Sequence, residues 1–283
     1  DEDEVKKELG VVYRHYDRIH YKLDGAGFLP KERWHIWTID VPSGETNQLT
    51  DGPVYDEAFP VWSPDGESIL FLSNRSENPD MDYDLVDLHT IPSEGGEMRK
   101  IQAPEGIKYN PSFSPGGEWV AYIGREGRGD WWRNVELWVV PLDGSEAARN
   151  LTADYDFNVS PDVINDMNAG AITVTSPVWS SDESTLYFQV ARHGGSTLRM
   201  INIATKTIET LTADQGTVGS FGLDKDQTRL AYFFATMKDP GQIMLMDLTS
   251  KESHQLSGFN TWLKEVDLGE VDEVWIKGRD DND

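Results

Sequence analysis

The sequence contains no cysteine among its 283 residues, which excludes a disulfide framework and thiol chemistry. Basic residues are also few: 25 Lys and Arg stand against 50 Asp and Glu, and the net charge of −25 disfavours phosphate backbones and anionic lipid as partners. No apolar run approaches the ~18 residues of a membrane-spanning helix, and no signal-peptide pattern begins the chain. We therefore expect no nucleic-acid partner, no membrane partner and a cytoplasmic location.

Catalytic and metal-binding motifs are missing as well. The six histidines show no His-Glu-x-x-His spacing, and the chain has no Gly-x-Ser-x-Gly elbow, P-loop or dinucleotide fingerprint. The segment Asp80-Met-Asp82-Tyr-Asp84 begins like a calcium loop, but Leu85 and Ile91 occupy the positions where that loop needs Gly and Glu. The sequence predicts no catalytic residue, no metal site and no cofactor.

What the chain does have is a module repeated about five times. A turn such as Ser63-Pro-Asp-Gly66 precedes an apolar run, Ile69–Leu72, and a second apolar strand follows after a loop. A Leu-Thr-like pair then closes the module, at residues 49, 101, 151, 211 and 256. Four short strands in roughly 40 to 50 residues is the size of one propeller blade. The sequence predicts an all-β fold, a β-propeller of four-stranded antiparallel blades with about five blades or blade fragments present.

The module boundaries divide the chain into three parts. We predict an N-terminal tail at 1–10, propeller repeats over 11–257 and a final segment at 258–283. The blades are expected at about 11–52, 53–103, 104–153, 154–213 and 214–257. Strands in the middle of a blade are covered on both faces, which explains their continuous apolar runs. The Ser-Pro-Asp-Gly turn is expected to be structural, since Pro presets φ and Gly accepts a positive φ.

Long loops predict where a partner binds. In a blade, the connection between the second and third strands shares a face with the blade-to-blade connection, and the long loops 23–33, 73–87, 124–134 and 153–175 all fall into these two classes. Function is commonly carried on such loops. Loop 124–134 is rich in glycine, and its residues Arg128, Trp131 and Trp132 form a candidate binding site. The alternative is that the two tryptophans only cover the edge of a blade.

The repeats and the tail resemble a known family. Trp62-Ser-Pro-Asp-Gly66 and the Leu-Thr pairs are similar to TolB-like, WD40-like propeller repeats. The segment Tyr21-Lys-Leu-Asp-Gly25, the closing Gln48-Leu-Thr-Asp-Gly52 and the tail segment 271–280 resemble the acylaminoacyl-peptidase-like branch of the prolyl oligopeptidase family of serine peptidases.

That resemblance implies a parent protein with about seven blades followed by an α/β-hydrolase domain that carries a Ser-Asp-His triad. The chain stops before any triad residue, so the resemblance implies a non-catalytic propeller whose parent is a serine peptidase. Its expected role is to gate access to the active site and to dock short peptides. The implied partners are the hydrolase domain of the same parent chain and short peptides, and an open arc of blades would also favour a homo-oligomer.

Two other functions stay open from the sequence alone. One is a free-standing TolB-like propeller that acts as a scaffold for protein–protein interactions. The other is a propeller enzyme acting on sugars or lactones, which would need carboxylates or metal ligands converging on the central channel.

Overall fold

The structure is a computed structural model that describes residues 4, 10, 15–16, 18–24, 27–161, 163 and 174–277. The chain divides into two compact units, which are described separately: the first contains residues 1–108 and 126–130, and the second contains 109–125 and 131–283. In the described ranges, no helix has the length and apolar character needed to cross a bilayer.

The first unit contains two short strand pairs and one four-stranded sheet. Strands β1 (Lys22–Leu23) and β2 (Gly27–Phe28) form one antiparallel pair, and β3 (Trp37–Ile39) and β4 (Thr46–Gln48) form another. The sheet has its strands in sequence order: β5 (Glu57–Trp62), β6 (Ser68–Ser73), β7 (Asp87–Pro92) and β8 (Arg99–Lys100). Module 11–52 thus differs from the later modules, because its described residues form two pairs instead of one four-stranded sheet.

The second unit contains three four-stranded sheets, again with strands in sequence order. The first has β9 (Lys108–Phe113), β10 (Trp119–Gly124), β11 (Glu136–Pro141) and β12 (Arg149–Asn150). The second has β13 (Val178–Trp179), β14 (Thr185–Arg192), β15 (Gly195–Asn202) and β16 (Ile208–Thr210). The third has β17 (Thr217–Leu223), β18 (Arg229–Ala235), β19 (Gln242–Asp247) and β20 (Ser253–Gln255), and a short 3-10 helix at Thr261–Glu265 follows it. These sheets are propeller blades, so the predicted all-β fold class is confirmed.

The middle sheet of the second unit shows why its strands read as continuous apolar runs. In β14, Leu186 and Phe188 belong to a core shared with Leu137 of β11. The residue between them, Tyr187, belongs to a different core, shared with Leu230 of β18. Successive side chains of a strand point to opposite faces, so a sheet with a blade on each side needs apolar residues at every position.

The Ser-Pro-Asp-Gly turns are structural, as predicted. The Asp65 carboxylate accepts hydrogen bonds from the Ser63 hydroxyl at 2.5 Å and from the Glu67 amide at 3.0 Å, and Gly66 takes a φ of 74°. The same arrangement recurs at Asp182, which binds the Ser180 hydroxyl at 2.6 Å. Hydrogen bonds from these serines lower the pKa of both carboxylates. The turn therefore uses its carboxylate internally.

The closing Leu-Thr pair also has a structural role. Its hydroxyl accepts a hydrogen bond from a backbone amide in or next to the third strand of the same module. This bond recurs in four modules: Ile36 N to Thr50 Oγ1 at 2.8 Å, Leu137 N to Thr152 Oγ1 at 3.0 Å, Leu198 N to Thr212 Oγ1 at 2.9 Å, and Ile243 N to Ser257 Oγ at 2.8 Å. The recurring Thr or Ser thus satisfies a backbone donor that the short fourth strand does not reach.

Candidate functional site

Three connections meet in the first unit and carry the predicted residue Arg128. We call residues 78–86, 104–107 and 126–130 the loop cluster. The Arg128 Nε donates to Glu105 Oε1 at 2.6 Å, and its Nη1 lies 3.6 Å from Asp82 Oδ1. The backbone amide of Gly127 donates to the Glu105 carbonyl at 2.9 Å, and that of Gly129 donates to Asp84 Oδ2 at 2.6 Å. Residues 126–130 are therefore joined to both of the other connections by hydrogen bonds or ion pairs.

The charge of Arg128 is already partly balanced inside the loop cluster. Its hydrogen bond with Glu105 lowers the pKa of that carboxylate and raises the pKa of the guanidinium. The side chains of Arg128 and Glu105 are 53% and 59% exposed, so the pair stands in solvent and contributes little to stability. A ligand can reach the guanidinium, but it has to compete with Glu105 for the same donors.

A buried lysine holds the base of the loop cluster. The Lys108 ammonium donates to the carbonyls of Pro104 at 2.7 Å, Val86 at 2.9 Å and Gly106 at 3.0 Å. The side chain is 1% exposed and its Nζ lies 3.8 Å from Asp87 Oδ1. Burial lowers the pKa of Lys108 to about 8, against the opposing attraction of Asp87. Sequence reasoning missed Lys108, because a single lysine at the start of a strand carries no pattern that separates it from a solvated one.

The carboxylates of the calcium-like segment 80–84 already have arginine side chains and a backbone amide as partners. Asp80 lies 3.5 Å from Arg18 Nε and 3.6 Å from Arg33 Nη1. Asp82 faces Arg128 and Asp84 accepts the Gly129 amide, so the three carboxylates point to different partners. Among the residues that the structure describes, no group of His, Cys, Asp or Glu is arranged to hold a metal ion.

A second buried charge lies where β5 begins. The Glu57 side chain is fully buried and contacts His35 Nδ1 at 2.8 Å, the Thr50 hydroxyl at 2.8 Å and the Arg75 guanidinium. These partners come from the residues just before β3, the closing pair and the β6–β7 connection. Removing one partner of a buried charge is far more costly than its net contribution suggests. Glu57 therefore ties module 11–52 to the neighbouring sheet and takes a structural role.

In the second unit, the two predicted tryptophans lie in the β10–β11 connection and project into solvent. Trp131 is 73% exposed and Trp132 is 68% exposed. Their ring centroids are 6.2 Å apart with an interplanar angle of 80°, an edge-to-face pair. This exposure does not fit two side chains that cover the edge of a blade. The pair presents two large apolar rings to solvent.

The end of the sheets that carries this connection can be traced in the second unit. The Val135 amide, just after the tryptophans, donates to Asn158 Oδ1 at 2.9 Å, and the Ala191 amide at the end of β14 donates to the Asn158 carbonyl at 2.9 Å. The β10–β11 and β14–β15 connections thus lie at the same end. Part of the predicted loop 153–175 lies outside the described residues.

The C-terminal segment reaches this end too. The Gln242 side chain bonds both the carbonyl and the amide of Phe259, at 2.9 and 3.0 Å. Lys238 of the β18–β19 connection pairs with Glu270 at 2.8 Å. A cavity of about 390 Å³ lies between that connection and the tail. Further along, the Trp275 ring meets His193 of the β14–β15 turn edge-on, at 4.8 Å between centroids.

Comparisons with known proteins agree with this architecture. No family model matches the chain. It is similar to dipeptidyl-peptidase 5 of Porphyromonas gingivalis, with 25% identity over 218 residues that cover 69% of this chain and 29% of that protein. The chain spans less than a third of the length of the curated relatives it matches.

Solved structures confirm the predicted resemblance at the level of the fold. Acylaminoacyl peptidase of Pyrococcus horikoshii aligns over 90% of this chain and 35% of its own length, with 18% identity and a TM-score of 0.65. TolB of Acinetobacter baumannii aligns over 81% of this chain and 50% of its own length, with 16% identity and a TM-score of 0.56. The fold is that of TolB-like propellers and of peptidases that contain such a propeller.

Proposed function

We propose that this chain is the non-catalytic propeller of a serine peptidase of the prolyl oligopeptidase family. In this role it gates access to an active site on an α/β-hydrolase domain of the same protein and docks short peptides. The main support is that two comparisons both point to peptidases. Sequence similarity to a dipeptidyl-peptidase covers 69% of the chain, and structural similarity to an acylaminoacyl peptidase covers 90%.

The geometry of the second unit supports a role in docking. Trp131 and Trp132 project from the same end of the sheets along which the tail runs from Phe259 to Trp275. A domain attached through this tail would be held beside that end. Peptides that approach such a domain would then pass the exposed tryptophan pair.

The chemistry of the pair defines the ligand. Two edge-to-face rings bind apolar and aromatic side chains, and exposed aromatic residues at interfaces often contribute most of the binding energy. We therefore propose that docked peptides present an apolar or aromatic side chain to Trp131 and Trp132. In the first unit, and considered separately from this pair, Arg128 stays the candidate for binding a carboxylate, in competition with Glu105.

Peptide docking can be tested on the chain itself. We expect a fluorescein-labelled tetrapeptide with a central Phe to bind, as measured by anisotropy. The double change Trp131→Ala and Trp132→Ala should weaken binding by about 30-fold, the effect of losing one strong aromatic contact. Trp34→Ala is the matched control, because that side chain is 70% exposed and lies in the other unit. Equal effects of both substitutions would reject the docking role of the pair.

The gating role is tested on the gene and its full product. Reading the coding sequence beyond Asp283 should reveal a hydrolase domain with a Gly-x-Ser-x-Gly motif. Shortening the β10–β11 connection in that full-length protein should then allow it to cleave longer peptides without changing its rate on dipeptide substrates. Unchanged length selectivity would contradict gating.

The second candidate is a free-standing TolB-like scaffold for protein partners. Its support is the fold shared with TolB, which covers 81% of this chain. A stop codon close after Asp283 would favour this candidate over the peptidase propeller.

A further inference from the structure

Strand β3 has an edge that no other described strand pairs with. It pairs on one side with β4, in the register Trp37 with Gln48, Thr38 with Asn47 and Ile39 with Thr46. The Asp40 amide donates to the Glu45 carbonyl at 2.8 Å, and the Leu49 amide donates to the Ile36 carbonyl at 2.9 Å. Hydrogen-bonded pairs alternate along an antiparallel ladder, so Thr38 is the residue of β3 that bonds to β4.

It follows that the amides and carbonyls of Trp37 and Ile39 point away from β4. No described residue donates to or accepts from these backbone groups. In the four later sheets, by contrast, the third strand is paired on both sides: β7, β11, β15 and β19 each lie between two neighbours. An exposed row of unpaired backbone groups is a template for another strand.

One face of the β3–β4 pair is apolar and exposed. Ile36 points inward and belongs to a buried core with Ile69 and Phe71. On the opposite face, Trp37 is 56% exposed and Ile39 is 61% exposed. These two side chains belong to the same residues whose backbone groups are unpaired. A strand added at this edge would extend the sheet and cover part of both side chains.

The open edge is complementary to itself. When two copies of β3 run antiparallel about a two-fold axis through Thr38, Trp37 of each copy lies opposite Ile39 of the other. These are the residues with outward-pointing amides and carbonyls, so each such pair can exchange both of its backbone hydrogen bonds. The two-fold axis also places the exposed rings and aliphatic side chains of both copies on one face.

We propose that β3 is a homodimerisation edge, at which a second copy of this chain adds its own β3 antiparallel to form a sheet with the strand order β4–β3–β3–β4. The occupant is a second copy because the edge supplies its own complement in hydrogen bonds and in apolar surface. The resulting sheet has four strands, as do the other blades of the chain. An isologous pairing of this kind closes after two copies.

The absence of cysteine allows a sharp test of this register. Residue 38 lies on the two-fold axis in a non-hydrogen-bonded pair, where Cα atoms are about 4.5 Å apart and a disulfide can form. Thr38→Cys should therefore form a covalent dimer under mild oxidation. Thr46→Cys is the matched control on β4, since its two copies would be about 16 Å apart, three strand spacings across and two residues along the strands. Equal cross-linking of the two variants would overturn the proposal.

A second measurement does not depend on cysteine. Ile39→Pro removes an amide that β4 does not use, and proline is tolerated on such an edge. Sedimentation velocity should show a concentration-dependent dimer for the unmodified chain and at least about a tenfold weaker dimer for Ile39→Pro. Circular dichroism of Ile39→Pro reports directly whether its sheets are intact. A monomeric unmodified chain, or a dimer that a folded Ile39→Pro variant leaves unchanged, would reject the pairing.

Discussion

The sharpest prediction for stability concerns the buried imidazole of His89. This residue lies in β7, directly across from Phe71 of β6, and the two rings are stacked at 5.7 Å between centroids. His89 is 4% exposed, and among the described residues its Nδ1 has no hydrogen-bond partner. Burial lowers the pKa of His89 from 6.5 to about 4, against the attraction of Asp87 and together with repulsion from Arg75 and Lys100.

The sign of the pH dependence follows from this shift. The folded chain binds the proton less tightly than the unfolded chain, so acid favours unfolding. The stability that neutral His89 provides is fully present above pH 6.5, is lost as the pH falls towards about 4, and changes little below that. A difference of about 2.5 pKa units corresponds to about 3 kcal/mol.

The assay is urea unfolding at a series of pH values between 7.5 and 4.5. We expect the free energy of unfolding to fall more steeply in the unmodified chain than in His89→Leu, with a difference that grows to about 2 kcal/mol at the acid end. Subtracting the two curves removes the contribution of every other titrating group. His254→Leu is the control, because it removes an exposed imidazole of β20 instead of a buried one.

A flat difference curve would refute the reasoning. It would mean that the imidazole is solvated or paired in the folded chain, so that its protonation costs nothing. A difference of the opposite sign would mean that the attraction of Asp87 outweighs burial.

Three further predictions address other parts of the molecule. Lys108→Met should lower the free energy of unfolding by about 2 kcal/mol in urea titrations. The loss of a charged donor to three carbonyls outweighs the gain from no longer burying a charge. Lys108→Arg should recover part of the lost stability. Gln242→Ala should speed hydrogen exchange at the Phe259 amide by about tenfold, whereas Gln255→Ala should not, and equal rates would show that the tail is held elsewhere. Because the net charge is −25, raising NaCl from low to high concentration should raise Tm by about 2–5 °C; a fall in Tm would show that attractive ion pairs dominate.

The fold could be predicted because its repeating features have local causes. The Ser-Pro-Asp-Gly turn closes on itself through Asp65, and the closing Thr50 bonds an amide in its own module. Apolar runs such as Leu186–Phe188 follow from sheets packed on both faces. Each of these signals is contained within a few residues, so it survives in the sequence at every repeat.

The candidate site could be predicted only in part. Trp131 and Trp132 were identified by their place in a long Gly-rich loop, and both are exposed. The roles of Lys108 and Glu57 could not be read in advance, because their partners are backbone carbonyls and side chains from other connections. The fact that β3 pairs with only one of the described strands was equally hidden, since its sequence resembles that of third strands that are paired on both sides.

Several of the few basic residues are buried and paired in the structure. In the first unit, Lys108 and Arg33 are almost fully buried and Arg18 is only 19% exposed, all of them bonded to carbonyls or carboxylates. Cations used in this way cannot offset the acidic residues that stand in solvent. The carboxylates that face them, Asp80 and Asp87, are only 17% and 18% exposed, so each contact withdraws charges of both signs and leaves the excess of acidic residues in place. The pairing of two such units at β3 would have to rely on backbone hydrogen bonds and apolar contact against charge repulsion, which is why the proposed dimer should strengthen as salt is added.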